Sequence, residues 1–497
     1  MFIVLGLRQF CDLGKRGSRV ALFKEFASDF ITPMMVYRIL FAEEGETVLF
    51  ESGEKSDRIG RFSHIGSDPV AEIRSHGSES RIREGKHVRT EGGDPLTHLR
   101  ALHKKYRAVS SRSSVGFAGG CAGYVAYDAV RYREKIPDSH SDGGKLPDLF
   151  FRFFDTSITF DHIRESMLIV RVKEFGGDPN EVYEKGMDEI NTLYGKIRDG
   201  GGGIGKGGYG VRSRSESSFR PISSPDDTGF REKVARAREY IKSGDVFQVV
   251  LSRSFTTPVS VSPFTIYRSV RLVSPAPYMF FIRTGDFALV GASPEKSVSL
   301  QGTVLETIPL AGTRPRGETP EEDVAMEREL LGDPKEVAEH MMLVDLGRND
   351  LGRVSTMGSV TVGDLKTVQR FSHVMHIASF VRGEIAEGFD AIDALMATFP
   401  AGTLSGAPKI RAMEIIDELE TDRRGPYGGT VCFIDHAGNL ESCIAIRMAV
   451  ISEGKAVVRA GTGIVYDSDP EREAEETRHK AKGILEAIRL AEEGEMD

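Results

Sequence analysis

The clearest helical pattern in the chain begins just after residue 226. Apolar residues recur there at i, i+4, i+7 and i+11, the spacing of one helix face, at Phe230, Val234, Ala237 and Ile241. Asp226 precedes this run as a candidate N-cap, and Gly244 follows it as a terminator. The pattern predicts an amphipathic helix that packs its apolar face against the rest of the protein.

Short apolar or alternating runs, typical of β-strands, occur along the whole chain. In the N-terminal part they lie at residues 47–50, 149–154, 157–160 and 167–172. In the C-terminal part they lie at residues 246–255, 287–291, 297–300, 304–308, 430–434, 442–451 and 456–460. Because many strands are interspersed with helices, we predict an α/β (α+β) protein with large, mostly antiparallel sheets rather than strict βαβ units.

A glycine-rich segment divides the chain. The run DGGGGIGKGGYG at residues 199–210 contains eight glycines, and a serine-rich stretch follows it. This composition predicts a flexible linker or surface loop over residues 199–225, between an N-terminal part (1–198) and a C-terminal domain (226–497). The run nearly matches a phosphate-binding loop, but Gly207 stands where such loops need Ser or Thr, and no strand precedes it.

Composition and charge exclude several classes of protein. The 497 residues carry 65 basic and 74 acidic side chains, a net charge of −9, without a long Lys/Arg block, which argues against a nucleic-acid partner. No apolar run approaches the roughly 18 residues of a membrane span, which argues against a membrane partner. The four cysteines form no CxxC motif or disulfide framework, so we predict a protein of the reducing cytoplasm.

Two predicted helix starts resemble each other. In each, Asp is followed by Pro, a combination typical of an N-cap and the first helical position. In each, a pair of glutamates at i, i+3 then projects two carboxylates from one helix face: Glu336 and Glu339 after Asp333, Glu473 and Glu476 after Asp469. Two such pairs facing each other would form an oxygen-only site suited to Mg²⁺. Acidic residues also favour helix starts for electrostatic reasons alone, so one pair by itself decides nothing.

A second group of residues indicates an anion-binding site. The predicted strand 442–451 carries Arg447 on a face of small residues, where a guanidinium could bind a carboxylate or form a buried ion pair. Glycine-rich turns at residues 425–429 and 461–463, and a helix start at 403–409 that includes Lys409, offer backbone N–H groups to an anion. Together they predict a small, carboxylate-bearing substrate.

Four motifs carry a resemblance to a known family. They are GDVFQVVLSR at residues 244–253, PLAGTRPRG at 309–317, VDLGRNDL at 344–351 and TLSGAPK at 403–409. In this order they resemble the chorismate-utilising enzymes, and within them the large, component I subunits of anthranilate synthases. The resemblance is dense from residue 230 to about 490 and looser before that. It implies a sandwich of two large, mostly antiparallel sheets, with helices outside and the active site between the sheets.

The resemblance also implies an activity. Family members of this kind convert chorismate and ammonia to anthranilate and pyruvate, the first committed step of tryptophan biosynthesis. Their Mg²⁺ ligands correspond to Glu339 and Glu476, with Glu336 and Glu473 in support. The chain has no recognisable glutaminase nucleophile with its partners, so the resemblance implies that a separate glutamine amidotransferase subunit, component II, supplies the ammonia.

The remaining roles in the reaction are implied in the same way. The groups that hold the enolpyruvyl carboxylate correspond to Arg447, Tyr427, Gly461, Thr462 and Gly463, and Lys480 corresponds to a lysine near the ring carboxylate. Thr307, His376 and Thr403 correspond to residues near the ring, and His376 is the candidate for assisting proton transfer. Glu295 corresponds to the acid that protonates the leaving 4-hydroxyl, a role that needs a raised pKa, such as burial among like charges would give.

Two positions bear on the choice among family members. Members that add water carry a lysine base where this chain has Gln248, and an amide cannot deprotonate water, which argues against isochorismate and salicylate synthases. Many aminodeoxychorismate synthases, of the folate pathway, carry a lysine where this chain has Ala311. Some lack it, so that activity stays an alternative. A non-catalytic regulator that binds tryptophan or chorismate on the same fold is a further alternative.

An inhibitor site is implied in the N-terminal part. Residues 49–52 resemble the family element that binds feedback tryptophan, and residues 274–280 resemble the element across that pocket. The resemblance therefore predicts that L-tryptophan inhibits the protein by binding six residues: Glu51, Ser52, Pro277, Tyr278, Met279 and Phe280.

Overall fold

The computed structural model describes residues 3–41, 45–53, 60–111, 119–140, 146–200, 219–370 and 374–494. The helices are α1 Leu7–Gly14, α2 Pro33–Phe41, α3 Pro95–Tyr106, α4 Pro179–Gly200, α5 Asp227–Lys242, α6 Pro263–Val273, α7 Pro320–Gly332, α8 Pro334–Gly352, α9 Ala391–Ala397, α10 Lys409–Leu419 and α11 Pro470–Glu493. Most of the predicted linker, residues 201–218, lies outside the described residues. The division at 199–225 therefore stays a prediction.

The strands fall in both the N-terminal and the C-terminal part. They are β1 Arg19–Ala27, β2 Thr47–Glu51, β3 Phe62–His76, β4 Glu79–Glu84, β5 His87–Gly92, β6 Gly120–Val125, β7 Leu149–Asp161, β8 Ser166–Glu174, β9 Ile222–Ser224, β10 Gln248–Pro258, β11 Tyr278–Arg283, β12 Phe287–Ser293, β13 Lys296–Gln301, β14 Val304–Thr307, β15 Leu310–Pro315, β16 Thr361–Arg370, β17 Val374–Glu384, β18 Gly406–Ala407, β19 Thr430–Asp435, β20 Leu440–Ile444, β21 Met448–Ser452 and β22 Lys455–Ile464.

Two large sheets share the long strands β3 and β7, whose mutual register shifts between Pro69 and Ala71. The first sheet runs β1-β8-β7-β3-β2-β11-β12-β21-β22-β10, and β9 and β18 also pair with β10. The second runs β5-β4-β3-β7-β6-β19-β20-β13-β14-β17, and β15 and β16 also pair with β17. These strand pairs are antiparallel, as the sequence predicted.

The apolar core has an inner layer and two outer layers. Inside, Tyr124 and Phe150 of the second sheet lie in one cluster with Phe280 and Phe287 of the first. On the first sheet, apolar residues of α2, α4, α6 and α11 form an outer cluster. A second outer cluster joins α3 and α9, which contact the second sheet, with α5 and α10, which contact β10 at the end of the first. The helices thus cover the outer faces of a sandwich, because each sheet has apolar residues on both faces.

Several local predictions are confirmed, and one strand prediction is wrong. Helix α5 begins after Asp226, whose side chain accepts from Gly229 N at 2.8 Å, and its four predicted apolar residues are buried. The runs 149–154 and 157–160 belong to one strand, β7. The predicted strand 442–451 is two strands, β20 and β21, because the chain leaves the second sheet after Ile444 and joins the first at Met448.

Two further features concern membrane-spanning helices and the cysteines. Among the described residues, no helix is both long and apolar enough to cross a membrane. The four cysteines are free thiols, and Cys121, Cys432 and Cys443 are buried.

Candidate active site

A cavity of about 700 Å³ opens where the chain crosses between the two sheets. Its walls include the starts of α8 and α11, the end of β22 and the segments that join β12 to β13 and β20 to β21. Most of the predicted site residues line it: Gln248, Glu295, Glu336, Glu339, His376, Thr403, Tyr427, Arg447, Gly461, Thr462, Gly463, Glu473, Glu476 and Lys480. The structure thus brings together residues that are spread over more than 200 positions of the chain.

Glu295 and Arg447 lie in two neighbouring breaks between strands. Glu295 lies between β12 and β13, and Arg447 lies between β20 and β21. Backbone hydrogen bonds join them across the crossing, from Ala292 N to Arg447 O and from Ile444 N to Glu295 O, each at 3.0 Å. Arg447 has a φ of 51°, a left-handed conformation that a regular strand excludes. Strand alternation predicts the same side of the strand for the Arg447 side chain, but the reason is wrong, because Arg447 lies in a break between β20 and β21.

Burial sets the protonation of Glu295. It raises the pKa of Glu295 to about 7, although the Thr403 hydroxyl, which donates to Glu295 Oε1 at 3.0 Å, and the Lys480 ammonium both lower it. The raised pKa was predicted, but like charges are not its cause, since the charged neighbour is a cation. A carboxyl group with this pKa is partly protonated near neutral pH and can donate a proton.

The two acidic helix starts form as predicted. The Asp333 carboxylate accepts from the backbone N–H groups of Lys335 and Glu336, at 3.0 and 3.3 Å. The Asp469 carboxylate accepts from those of Glu471 and Arg472, at 3.1 and 3.0 Å. Because each aspartate caps its own helix, the glutamates one turn later project into the cavity instead of capping.

The four glutamates differ in their partners. Glu476 pairs with Lys480 at 2.6 Å, Glu336 lies 3.4 Å from Arg314, and Glu473 accepts from the Thr462 hydroxyl. Glu339 forms no ion pair or side-chain hydrogen bond with the described residues. Burial raises its pKa, and the carboxylates of Glu336 and Glu476 raise it further.

The four carboxylates fit a hard divalent cation in their chemistry. They offer only oxygen donors. A bound cation would also relieve the repulsion of the Glu339 carboxylate by those of Glu336 and Glu476. In the described part of the chain, no three His, Cys, Asp or Glu side chains already stand close enough together to hold a metal ion. A cation there would have to draw Glu476 towards it, against the ion pair with Lys480.

Glycines let two side chains approach the end of β22. Gly461 and Gly463 were predicted in a turn, but they lie within β22, which ends at Ile464. A Cβ atom on Gly463 would stand 2.5 Å from Gln248 Nε2, and one on Gly461 would stand 2.9 Å from the Tyr427 hydroxyl. Burial raises the pKa of Tyr427 to about 12, so this phenol stays neutral and can donate a hydrogen bond.

His376 is held as a neutral imidazole. Its Nδ1 lies 2.7 Å from Gly312 O, and because a carbonyl only accepts, Nδ1 carries the proton. Burial lowers the pKa of His376, and the Arg447 guanidinium lowers it further. Nε2 can therefore accept a proton, as the predicted role in proton transfer requires.

Two predicted residues lie elsewhere. Thr307 is buried outside the main cavity, donates to Ser297 O at 2.8 Å, and lines a small cavity of about 50 Å³ that Glu295 and Thr403 also line. Lys409 was predicted to bind an anion, but its ammonium forms a buried ion pair with Asp350 at 2.9 Å. The positive charge of Lys409 is thus balanced by Asp350 within the protein.

A buried charge network beneath the cavity has no counterpart among the sequence predictions. The Glu420 carboxylate pairs with Arg424 at 2.6 Å and with Arg459 at 2.8 Å, and it accepts from Ser252 N at 2.7 Å. Burial alone would raise the pKa of Glu420, but the two guanidinium groups hold it below its ordinary value. Arg459 also lines the cavity. No local pattern indicates this network, because its members lie on β10, on β22 and in the non-helical segment after α10.

A much smaller pocket lies between the paired strands β2 and β11 of the first sheet and β19 and β20 of the second. Strand pairing places Phe50 opposite Phe280, so the two predicted inhibitor-binding segments are neighbours. The pocket measures about 40 Å³ and is lined by Glu51, Tyr278, Met279 and Phe280 among others; Ser52 and Pro277 are not part of its lining. The Glu51 carboxylate accepts from the Tyr267 hydroxyl at 2.8 Å.

Known proteins resemble this chain over nearly its whole length. Residues 45–486 match the family described as chorismate binding enzyme. An anthranilate synthase component 1 of Acetivibrio thermocellus is 41% identical over 94% of this chain and 95% of that protein, and one of Aquifex aeolicus is 39% identical over the full length of both. The crystal structure of anthranilate synthase component I from Streptococcus pneumoniae is 34% identical, with a TM-score of 0.73 over 93% of this chain and 99% of that one.

Proposed function

The chain belongs to the anthranilate synthase component 1 family of chorismate-binding enzymes, and we propose that it converts chorismate and ammonia to anthranilate and pyruvate in tryptophan biosynthesis. One observation carries the proposal: Glu295, an acid with a pKa of about 7, shares a charged cavity with Arg447. An acid of this pKa and a guanidinium for a carboxylate are what the chemistry of chorismate needs.

The proposed reaction is a substitution followed by an elimination. Ammonia forms a bond to C2 of the chorismate ring while Glu295 gives its proton to the departing 4-hydroxyl, which leaves C4 as water, and the added nitrogen then loses its extra proton. The enolpyruvyl group then leaves as pyruvate with loss of the C2 proton, which makes the ring aromatic. Arg447 and Tyr427 hold the enolpyruvyl carboxylate, and the neutral His376 is placed to take up a proton. This makes the protein a carbon–oxygen lyase.

We propose that the reaction depends on Mg²⁺. Glu339 and Glu476 would hold the ion, with Glu336 and Glu473 in support, and when bound it would neutralise the ring carboxylate of chorismate. The pKa of Glu339 is raised although the Lys335 and Lys480 ammonium groups lower it, and Glu339 forms no ion pair with the described residues; both observations support this assignment. Lys480, which the ion would release from Glu476, would then be free to approach the same substrate carboxylate.

Two cavity residues support ammonia, attacking at C2, as the nucleophile. Gln248 lines the cavity against Gly463, and its amide cannot take a proton from water as a lysine base would. Ala311 also lines the cavity and offers no amine for a covalent intermediate of the aminodeoxychorismate synthase type. Aminodeoxychorismate would be the product if that alternative were correct.

The partners follow from the same proposal. A separate glutaminase subunit would supply the ammonia, as the designation component 1 of the relatives suggests. L-Tryptophan would inhibit the enzyme from the small pocket that β2, β11, β19 and β20 line. The free cysteines support a site of action in the cytoplasm.

A direct assay tests the proposal. The purified chain is mixed with chorismate, Mg²⁺ and an ammonium salt, and anthranilate is followed by its fluorescence and identified by chromatography. We expect anthranilate with ammonium and none with glutamine alone. Formation of aminodeoxychorismate or isochorismate instead would assign the chain to another activity, and the absence of any turnover would favour a non-catalytic regulator.

A further inference from the structure

Lys296 follows Glu295 directly in the chain and points into the protein. Its side chain is 12% exposed, and its ammonium lies 3.0 Å from Ser299 Oγ, 3.2 Å from a Glu306 oxygen and 3.4 Å from a Glu441 oxygen. Burial would lower the pKa of Lys296, but the two carboxylates raise it above its ordinary value. Lys296 is therefore a charged, fully engaged ammonium immediately beside the proposed catalytic acid.

The contacts of Lys296 fix the backbone that carries Glu295. Lys296 is the first residue of β13 and pairs with Cys443 of β20. Its ammonium reaches β20 again through Glu441 and reaches β14 through Glu306, which also pairs with Arg382 at 2.7 Å. A single side chain thus joins the interrupted segment to two neighbouring strands, in addition to the hydrogen bond from Ile444 N to Glu295 O.

The same contacts lead to the small pocket. Glu441 lines that pocket, and its carboxylate accepts from the Tyr278 hydroxyl at 3.1 Å. Tyr278, Glu441 and Lys296 therefore form a continuous chain of polar contacts from the small pocket to the residue next to Glu295.

We propose that Lys296 is a positioning residue that holds Glu295 in place, and that Tyr278 and Glu441 make this hold depend on the small pocket. The inference rests on the proposed function, since it assigns Glu295 as the acid. A ligand that displaces the Tyr278 hydroxyl would weaken the hold of Glu441 on Lys296 and so misplace Glu295. A displacement of about 1 Å at a reacting group can cost on the order of a hundredfold in rate.

Four variants of the full chain test the proposal with ammonium as nitrogen donor. Lys296→Met removes the ammonium and keeps the chain length, and Lys296→Arg restores a cation. Tyr278→Phe removes only the hydroxyl that binds Glu441. Lys173→Met is the matched control, because Lys173 also forms a half-buried ion pair, with Glu189 at 2.5 Å, and lines neither pocket.

We expect a separation of kcat from KM. Lys296→Met should lower kcat by about tenfold to a hundredfold and change the KM for chorismate by less than about threefold, because substrate binding rests on Arg447 and its neighbours. Lys296→Arg should recover most of kcat. Tyr278→Phe should lower kcat by about twofold to fivefold, and Lys173→Met should match the wild type.

Several outcomes would overturn the inference. A folded Lys296→Met variant with kcat within twofold of the wild type would do so, as would equal losses in Lys296→Met and Lys173→Met or no recovery in Lys296→Arg. If Lys296→Met fails to fold, because Glu306 and Glu441 are left buried and unpaired, a wild-type kcat for Tyr278→Phe overturns it. An inactive wild type instead refutes the proposed function, and the inference falls with its premise.

Discussion

The large cavity and the small pocket differ in how completely their charged groups are neutralised. The large cavity, of about 700 Å³, contains Glu339 without an ion-pair partner among the described residues, and Glu295 and Arg447 with pKa values shifted by burial. In the small pocket, of about 40 Å³, Glu51 and Glu441 both have hydrogen-bonded partners. The charged groups of the large cavity can therefore still form ion pairs with a charged ligand. The small pocket is stable when empty and must rearrange to admit a ligand.

This difference predicts where substitutions act. Changes in the large cavity should alter the reaction itself, because its charged groups complete their interactions only with substrate and cation. Changes in the small pocket that spare the contact between Tyr278 and Glu441 should leave the uninhibited rate nearly unchanged and alter the response to a ligand. The four predictions below test this contrast, from the largest expected effect to the smallest.

The largest effect is expected at Glu295. Glu295→Gln should lower kcat by about 10² to 10⁴, because an amide cannot donate the proton that the leaving hydroxyl needs, while the unfolding midpoint stays the same. In the wild type the acid must be protonated, so kcat measured at constant free ammonia should fall as the pH rises through about 7. Glu79→Gln, an exposed change on β4, is the control. A Glu295→Gln variant with the wild-type kcat would remove Glu295 from the mechanism.

The two proposed metal ligands should differ from each other. Glu339→Gln should lower activity by about a hundredfold, because it removes the carboxylate that forms no ion pair with the described residues, whereas Glu476→Gln should raise the Mg²⁺ concentration needed for half-maximal rate by about tenfold to a hundredfold. Calorimetric titration with Mg²⁺ measures the loss of binding independently of turnover. Activity of the wild type that persists in excess EDTA would contradict the assignment of both residues.

An intermediate effect, on the product rather than the rate, is expected at Gln248. Gln248→Lys should place a base in the cavity and let water compete with ammonia, so that part of the chorismate becomes isochorismate or salicylate. Burial can lower the pKa of the new amine enough for this role. Chromatography of the products measures how much of the chorismate becomes anthranilate, isochorismate or salicylate. If anthranilate is the only product, residue 248 does not select the nucleophile.

The smallest effect on the uninhibited rate is expected at Ser52. Ser52→Phe should fill the space beside Glu51 and relieve inhibition by tryptophan, while the rate without tryptophan stays within about twofold of the wild type. The coupling between the sites is typically worth about 1–3 kcal/mol, and it must be reciprocal, so chorismate should weaken tryptophan binding by the same factor. A wild type that ignores millimolar tryptophan would remove the inhibitor site from the proposal.

Features encoded within one turn of helix or one strand were predictable from the sequence. The caps Asp226, Asp333 and Asp469 and the two glutamate pairs formed as expected, because caps and i, i+3 pairs depend on neighbouring residues only. The strands 47–50 and 430–434 were also found at those positions, within β2 and β19.

Features that depend on distant partners were not predictable. The interruption at Arg447 arises because β20 and β21 pair in different sheets, and nothing in the sequence 442–451 records those partners. Lys409 pairs with Asp350, and Arg459 with Glu420, each across a separation that no local pattern spans. The resemblance to a family found most of the site, but it could not show why each side chain points into the cavity.

The neighbouring interruptions at Glu295 and Arg447 also have a consequence for folding. Their contacts, such as Gly291 with Met448 and Lys296 with Cys443, join segments far apart in the chain and belong to different sheets. Contacts of this kind close long loops and form slowly. The substrate-binding geometry is therefore complete only when both sheets have formed, so the return of chorismate turnover during refolding should lag behind the return of secondary structure.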